Sequence, residues 1–203
     1  MPATSLQDLY LQKLQLLLDA EQQGLDAMPQ LAQTVRNDKL RDAMQMHRRQ
    51  TEEQVQRLQQ LIGNRGRPST SRECVSMRAL IEEAQTMLPM IQDPDTIDAF
   101  VIGAQQAMEH HEIAAYGTAR SWAQQLGFDD DADVLQRTLD EEGEADKMLT
   151  QIAERSVNER ASQGADREVG IASGGQGDRS RSGELGGSGG RSGVNVERGA
   201  DMR

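Results

Sequence analysis

Apolar side chains recur every three to four positions through most of the first 158 residues, which is the repeat of an amphipathic α-helix. This part of the chain is rich in Leu, Ala, Met, Gln and Glu and lacks the β-branched runs of strands. Cap residues, and breakers such as NRGRPSTS, divide it into segments. The pattern predicts an all-α fold, with long helices over about 5–35, 37–63, 93–127 and 129–157 and an additional short helix over 75–88, between the second and third long helices.

Polar side chains interrupt the apolar stripe of every predicted long helix near its middle. On the first helix, Glu21 lies between Leu17 and Met28 on the inward face. The other helices carry His47, Gln50, Thr51 and Gln54 (second), Glu109 and Glu112 (third), and Glu142 and Asp146 (fourth). We expect these four interruptions to meet at one level in the centre of a helical bundle.

The composition changes sharply near residue 158. Residues 159–203 hold 12 of the 19 glycines and no aromatic side chain, so they cannot bury enough apolar surface to offset the entropy of the chain. We therefore expect a helical bundle domain over 1–158 and a disordered Gly/Ser/Arg-rich tail over 159–203. Seven acidic residues balance seven arginines in this tail, so the net charge of −11 belongs to the bundle domain. The zero net charge of the tail favours a solubilising tether over a binding arm.

The charge and the residue counts argue against several classes of protein. A net charge of −11 and only five aromatic residues make nucleic acid an unexpected partner, because its recognition needs clustered cations or base-stacking side chains. The single cysteine, Cys74, excludes an internal disulfide and a four-cysteine metal site, and we expect it to be a buried structural thiol. No apolar run of about 18 residues and no signal segment is present, so we expect a soluble, cytoplasmic protein without a membrane partner.

Carboxylates that converge in a helical core need a neutralising positive charge, because each isolated buried charge costs on the order of several kcal/mol. Two divalent cations would supply it, as in the di-iron and di-manganese centres of ferritin-like four-helix bundles. The predicted ligands are the five inward carboxylates, Glu21, Glu109, Glu112, Glu142 and Asp146. The alternative is that these side chains pair with buried arginines or water, or that the assigned helix faces are wrong by a turn.

The stretch MEHHEIAAYG, residues 108–117, places two histidines between two glutamates. At about 100° per residue, His110 projects roughly 160° and His111 roughly 100° away from Glu112, whereas Glu109 is only about 60° away. The glutamates are therefore the favoured ligands, and we expect the histidines to be an interface or supporting residue and a packed side chain. His47 faces inward, where we expect it to hydrogen-bond a neighbouring hydroxyl or carboxylate rather than a metal.

Four segments, DLYLQKLQLLLDAEQQ, CVSMRALIEEA, EHHEIAAYGTARSWAQQLG and LQRTLDEEGEADKMLT, closely resemble the YciE/YciF-like bacterial ferritin-like proteins in their order and spacing. The similarity covers about residues 5–157. It implies a rubrerythrin-like four-helix bundle with an additional short helix, usually a homodimer, and an association with bacterial stress responses. It also implies a dimetal centre whose acidic residues match, by position, Glu21, Glu109, Glu112, Glu142 and Asp146.

The second helix departs from this family pattern. Relatives commonly have Glu in a stretch like HLEET, whereas this chain reads HRRQT. Gln50 and Gln54 offer neutral carbonyl oxygens, which are weaker ligands for a hard cation than carboxylates, and we count both among the predicted ligands. Because no Glu-x-x-His pair is present, we expect an oxygen-rich centre that holds its two divalent ions loosely and takes Mn as readily as Fe.

Two functions agree with these features. The first is a ferritin-like stress-response protein that handles iron or a small oxidant such as peroxide or O2; whether it is an enzyme stays open. The second is a non-catalytic protective or partner-binding bundle with a vestigial metal site. We also expect a homodimer, because Ile102, Ile113 and Ala114 give the third helix apolar surface on sides other than the inward one.

Overall fold

The structure, a computed structural model, describes residues 3–67 and 72–163. Over these residues it contains no β-strand. Its helices are α1 (Leu6–Thr34), α2 (Asp38–Asn64), α3 (Val75–Met87), α4 (Pro94–Gln125) and α5 (Asp129–Ile152). The predicted all-α fold is confirmed, with four long helices and a short helix, α3, between the second and third of them.

Local capping chemistry explains where the helices begin and end. The side chains of Ser5, Asn37 and Asp93 each accept a hydrogen bond from a backbone N–H in the first turn of the helix that follows. Two glycines with positive φ, Gly66 at 68° and Gly127 at 72°, follow the ends of α2 and α4, because the left-handed conformation there strains any residue with a Cβ. The starts of α1, α2 and α4 and the ends of α2 and α4 are thus fixed by residues next to them in the sequence.

The four long helices form a closed bundle in which α1 packs on α2, α2 on α5, α5 on α4, and α4 on α1. The short helix α3 lies against α1 and α4. Apolar side chains collect in two clusters, one containing Tyr10, Leu58 and Tyr116 and the other containing Leu40 and Leu149. On α2, residues 40–44 belong to one cluster and residues 58–62 to the other. The inward polar side chains between them therefore form a layer near the middle of the bundle.

The last helix extends beyond its predicted end near residue 157. A π-helical turn over Ala153–Val157 follows α5, and the helix then continues through residue 163. Ala153 and Val157 are buried in the same apolar cluster as Leu149, so the π-helical turn packs on the bundle, whereas most side chains of 158–163 are exposed. The rest of the predicted tail, 164–203, lies outside the described residues, so its disorder stays a prediction.

Two apolar positions bear on the sequence-based expectations. Cys74 is buried, as predicted. Ile102 is also buried, in the same apolar cluster as Met77, so the prediction that it offers surface to a partner chain is wrong.

Within residues 3–67 and 72–163, no helix combines the length and the apolar character needed to cross a bilayer.

Candidate metal centre

Four buried side chains from three helices bring potential ligand atoms within 4.8 Å of one another. They are His47 on α2, Glu109 and Glu112 on α4, and Glu142 on α5, and we call them the central cluster. The Nε2 atom of His47 lies 3.1 Å from Glu109 Oε1 and 3.8 Å from Glu142 Oε2. Glu109 and Glu112 are three residues apart on one helix, so their side chains share a face. One imidazole and three carboxylates form a donor set that suits a divalent metal ion.

Several buried polar atoms of this layer lack a hydrogen-bond partner among the described residues. They are His47 Nδ1, Gln54 Oε1, Gln105 Oε1, Glu109 Oε2 and Glu142 Oε2. Buried polar atoms are ordinarily paired, so unpaired carboxylate oxygens in the core raise the free energy of the folded chain. Coordination of a divalent cation by these oxygens would remove that cost, and the residues present therefore fit a metal ion.

Two carboxyl groups of the central cluster, those of Glu112 and Glu142, have raised pKa values. Burial raises the pKa of Glu112 well above its usual range, and the neighbouring carboxyls of Glu21 and Glu109 raise it further. Burial likewise raises the pKa of Glu142, with added repulsion from Glu21 and Glu112. Without a cation, Glu112 and Glu142 therefore favour their neutral form; a bound cation would favour the ionised form.

Glu21 is buried on the inward face of α1, as predicted. Its Oε1 atom accepts a hydrogen bond from the Tyr116 hydroxyl at 2.5 Å. Burial raises the pKa of Glu21 to about 8; the Tyr116 hydrogen bond opposes this rise and the negative charge of Glu109 adds to it. Glu21 is not one of the four members of the central cluster, but its charge raises the pKa of two of them, Glu112 and Glu142.

Gln54, a predicted ligand, acts as a hydrogen-bond donor to the cluster. Its Nε2 atom donates to Glu142 Oε1 and, at 3.2 Å, to Glu141 Oε2. The same Glu141 oxygen pairs with Arg57, whose other guanidinium nitrogen donates to Thr138. Arg57 and Glu141 therefore hold Gln54, and Gln54 holds one oxygen of Glu142.

Gln50, the other predicted amide ligand, is half-buried in the lining of a cavity of about 190 Å³ beside His47 and Glu109. Gln105 lines the same cavity, and its Nε2 atom donates to Glu109 Oε1 at 2.6 Å. Sequence reasoning did not single out Gln105. Its position one turn before Glu109 on the inward face was the available signal.

Asp146 lies outside the central cluster. Its Oδ1 atom accepts a hydrogen bond from Gln106 at 2.8 Å and lies 3.4 Å from the Nε2 atom of the exposed His110. His111 is half-buried, with its Nε2 atom 3.4 Å from Cys74 Sγ. Asp146 on α5 and His110 and His111 on α4 therefore lie outside the central cluster.

His47 is the cluster member that sequence reasoning did not count as a ligand. A carboxylate neighbour of the expected kind is present, because His47 Nε2 lies 3.1 Å from Glu109 Oε1. The same contact brings the imidazole among the glutamates. The signal was its place on the inward stripe of α2, four residues before Thr51 and seven before Gln54.

Comparison with known proteins agrees with this architecture. The profile of a family described as "Domain of unknown function (DUF892)" matches residues 5–162. Protein YciF of Escherichia coli (strain K12) is 35% identical over 158 residues, which are 77% of this chain and 95% of that protein.

Two solved structures share the fold as well. The crystal structure of the E. coli stress protein YciF has a TM-score of 0.73 at 34% identity and covers 77% of this chain and 99% of its own. The structure of YcfI from Rhodopseudomonas palustris has a TM-score of 0.71 at 34% identity and covers 72% and 94%. The family profile and these relatives cover most of this chain, and the chain therefore belongs to the DUF892 family of YciF-like proteins.

Proposed function

We propose that this protein is a ferritin-like stress-response protein whose polar layer binds two divalent metal ions, iron or manganese, and that it handles iron or a small oxidant such as peroxide or O2. The observation that carries the proposal is the convergence of four buried ligand side chains within 4.8 Å, with unpaired oxygens on Glu109 and Glu142. Buried carboxyl groups grouped in this way are costly unless a cation or protons neutralise them.

The charges of the layer balance those of two divalent ions. Glu21, Glu109, Glu112 and Glu142 carry four negative charges when ionised, and all four are at most 4% exposed. His47 adds an imidazole nitrogen, which suits iron, and the carboxylates suit manganese as well. The residues that would hold the metal are these four glutamates and His47.

The protein around the layer would control the chemistry of a bound metal. Iron or manganese would supply the one-electron or two-electron change that reduction of peroxide or O2 requires. Tyr116 and Gln54 each hold one oxygen of a glutamate in place. The apolar clusters cover the layer from both ends of the bundle and limit its contact with water, which strengthens electrostatic interactions there.

The relatives support the stress-response part of this proposal. The similar E. coli protein is described as a stress protein. Its description does not state a reaction or a metal. The metal part rests on the residues of this chain alone.

A second candidate, a non-catalytic protective or partner-binding bundle with a vestigial metal site, is favoured by a different observation. Gln105 donates to Glu109, Gln54 donates to Glu142, and Tyr116 donates to Glu21. Each of these donors occupies one carboxyl oxygen without a metal, and burial raises the pKa of Glu21 and of Glu142, which favours their neutral form. A bundle of this kind would keep its core neutral without a metal.

Metal content separates the two candidates. Protein purified without chelator is analysed for bound elements, and metal-free protein is titrated anaerobically with Fe(II) and with Mn(II). We expect up to two ions per chain in the wild type and a large loss of affinity in His47→Leu and Glu142→Gln. The exposed Glu83→Gln has the same chemistry as the second change but lies on α3, away from the layer, and should bind like the wild type. If the wild type binds no more metal than a control protein that has no metal site, the non-catalytic candidate is left.

A further inference from the structure

The cavity of about 190 Å³ runs from the surface of the bundle to the central cluster, between α2, α4 and α5. Buried His47 and Glu109 lie at its inner end. Met46 and Met148, each 36% exposed, and the exposed Glu144 lie at its outer end. A cavity of this size holds several water molecules, since one water needs roughly 10–15 Å³ measured in this way.

The lining of this cavity favours cations. It contains two carboxylates, Glu144 outside and Glu109 inside, and no lysine or arginine. Between the ends lie the amides of Gln50 and Gln105, and Gln105 is 4% exposed with its Oε1 atom unpaired. A buried amide oxygen without a donor is a partner for a passing hydrated cation, whereas an anion would meet repulsion at both ends.

Three other cavities of the described residues do not offer this connection. The largest, about 480 Å³ between α1 and α2, is lined by Arg41, Arg48 and Arg49 and would repel a cation. The two beside α3, of about 320 and 310 Å³, include no residue of the central cluster.

We propose that the cavity between α2, α4 and α5 is the access route by which divalent cations reach the central cluster. Glu144 attracts the hydrated ion at the surface, and the amide oxygens of Gln50 and Gln105 replace part of its water shell before it meets Glu109. This inference rests on the proposed function, because it requires that the centre binds metal.

The route predicts changes in the rate of metal uptake without a matching change in final affinity. Metal-free full-length protein is mixed with Co(II) in a stopped-flow instrument, and the visible absorption of the bound ion is followed. Ala145→Met, which puts a longer side chain into the lining, should slow uptake several-fold. Met148→Ala, which widens the outer end, should accelerate it. Glu144→Gln should slow uptake roughly two- to five-fold at low ionic strength, and added salt should remove the difference.

Asp133→Asn is the matched control, because it removes one exposed carboxylate from the same helix at a position outside the lining. Melting curves and circular dichroism show whether each variant is folded, and the opposite signs expected for Ala145→Met and Met148→Ala separate the route from a general loss of stability. Normal Co(II) binding with equal uptake rates in all variants would overturn the access route and leave the proposed function standing. No binding by the wild type would overturn both.

Discussion

Burial and metal binding favour opposite charge states of Glu112. As a buried acid beside Glu21 and Glu109, it is most stable with a proton, because burial and its neighbours raise its pKa. As a metal ligand, it is useful only when ionised. The free energy of the folded chain therefore depends on which cation, a proton or a metal ion, neutralises this group.

Substitution of Glu112 by Gln separates the cost of burying an ionisable carboxyl group from its contribution to metal binding. An amide needs no proton, so at pH 8 the variant should be more stable than the wild type in chelator, by roughly 1–2 kcal/mol. With excess Mn(II) or Fe(II) the order should reverse, because a ligand has been lost and metal binding stabilises the native state by mass action. Melting curves of both proteins with chelator and with metal test this. Identical metal-induced shifts in the two proteins would show that Glu112 is not a ligand.

The raised pKa values also predict how stability depends on pH. Glu21 has an ordinary pKa of 4.5 when unfolded and about 8 when folded, and Glu112 and Glu142 shift in the same direction. Between these values the folded chain binds more protons than the unfolded chain. In chelator, the free energy of unfolding should therefore fall as the pH rises toward 8, by about 1.4 kcal/mol per pH unit for each fully protonated group.

The window from pH 6.5 to 8 isolates this effect. Burial lowers the pKa of His111 from 6.5, so that group contributes a slope of opposite sign that is largest below pH 6.5 and fades within about one pH unit above it. Chemical denaturation at several pH values measures the slope, and Glu21→Gln should reduce it. Bound metal should abolish it, because the carboxyl groups are then already ionised. A metal-free protein that becomes more stable across this window would contradict the assignment.

At the scale of the helices, a single carboxylate ties α4 to the connection between α1 and α2. Asp98 is 2% exposed, and its two oxygens accept hydrogen bonds from the backbone N–H groups of Arg36 at 2.8 Å and Asn37 at 2.9 Å. Charge-assisted hydrogen bonds of this kind are stronger than neutral ones. This contact fixes where α1 ends and α2 begins relative to α4.

Removal of this carboxylate should be costly. Asp98→Ala leaves two backbone donors without their acceptor and should lower the free energy of unfolding by roughly 2–4 kcal/mol. Asp98→Asn keeps one acceptor oxygen and should lose about half as much. The exposed Asp133→Ala should change stability by no more than about 0.5 kcal/mol. Urea denaturation measures all three, and equal values for Asp98→Ala and Asp133→Ala would refute the role of the contact.

The helices themselves could be predicted from sequence because their signals are local. Ser5, Asn37 and Asp93 lie next to the helices they cap, and the structure places all three at the predicted helix starts. The end of the last helix was predicted too early: residues 158–163 are helical but mostly exposed, so no apolar stripe marked the extension in the sequence.

The side chains of the candidate metal centre could be predicted only in part from the sequence. Helical periodicity predicted that Glu109, Glu112 and Glu142 lie in one layer, because the face on which a side chain lies follows from its position along the helix. It could not show that Asp146 pairs with the flank of α4 or that Gln54 donates to Glu142. These outcomes depend on side-chain rotamers and on the distances between helices, which no pattern along one helix contains.

At the scale of the whole molecule, the surface along α3 and α4 bears on assembly. A groove of about 310 Å³ between these helices is lined by Leu80, Met87, Phe100 and Ala107, and Met87 is 44% exposed. Ala114 lies exposed further along α4. Small and apolar side chains on the outside of a bundle are a suitable surface for close packing of another helix. We therefore expect the predicted homodimer to form along this side of the bundle.

This expectation is tested by light scattering at micromolar concentration. The wild type should have the mass of two chains. Ala107→Arg places a long charged side chain on the groove and should give a folded monomer, because burial of an unpaired charge in an interface costs several kcal/mol. Gln56→Arg adds the same side chain to the exposed face of α2 and should leave the dimer intact, so a change in net charge alone cannot explain the difference. A wild-type monomer would refute the dimer, and a dimer that persists in Ala107→Arg would place the interface on another face.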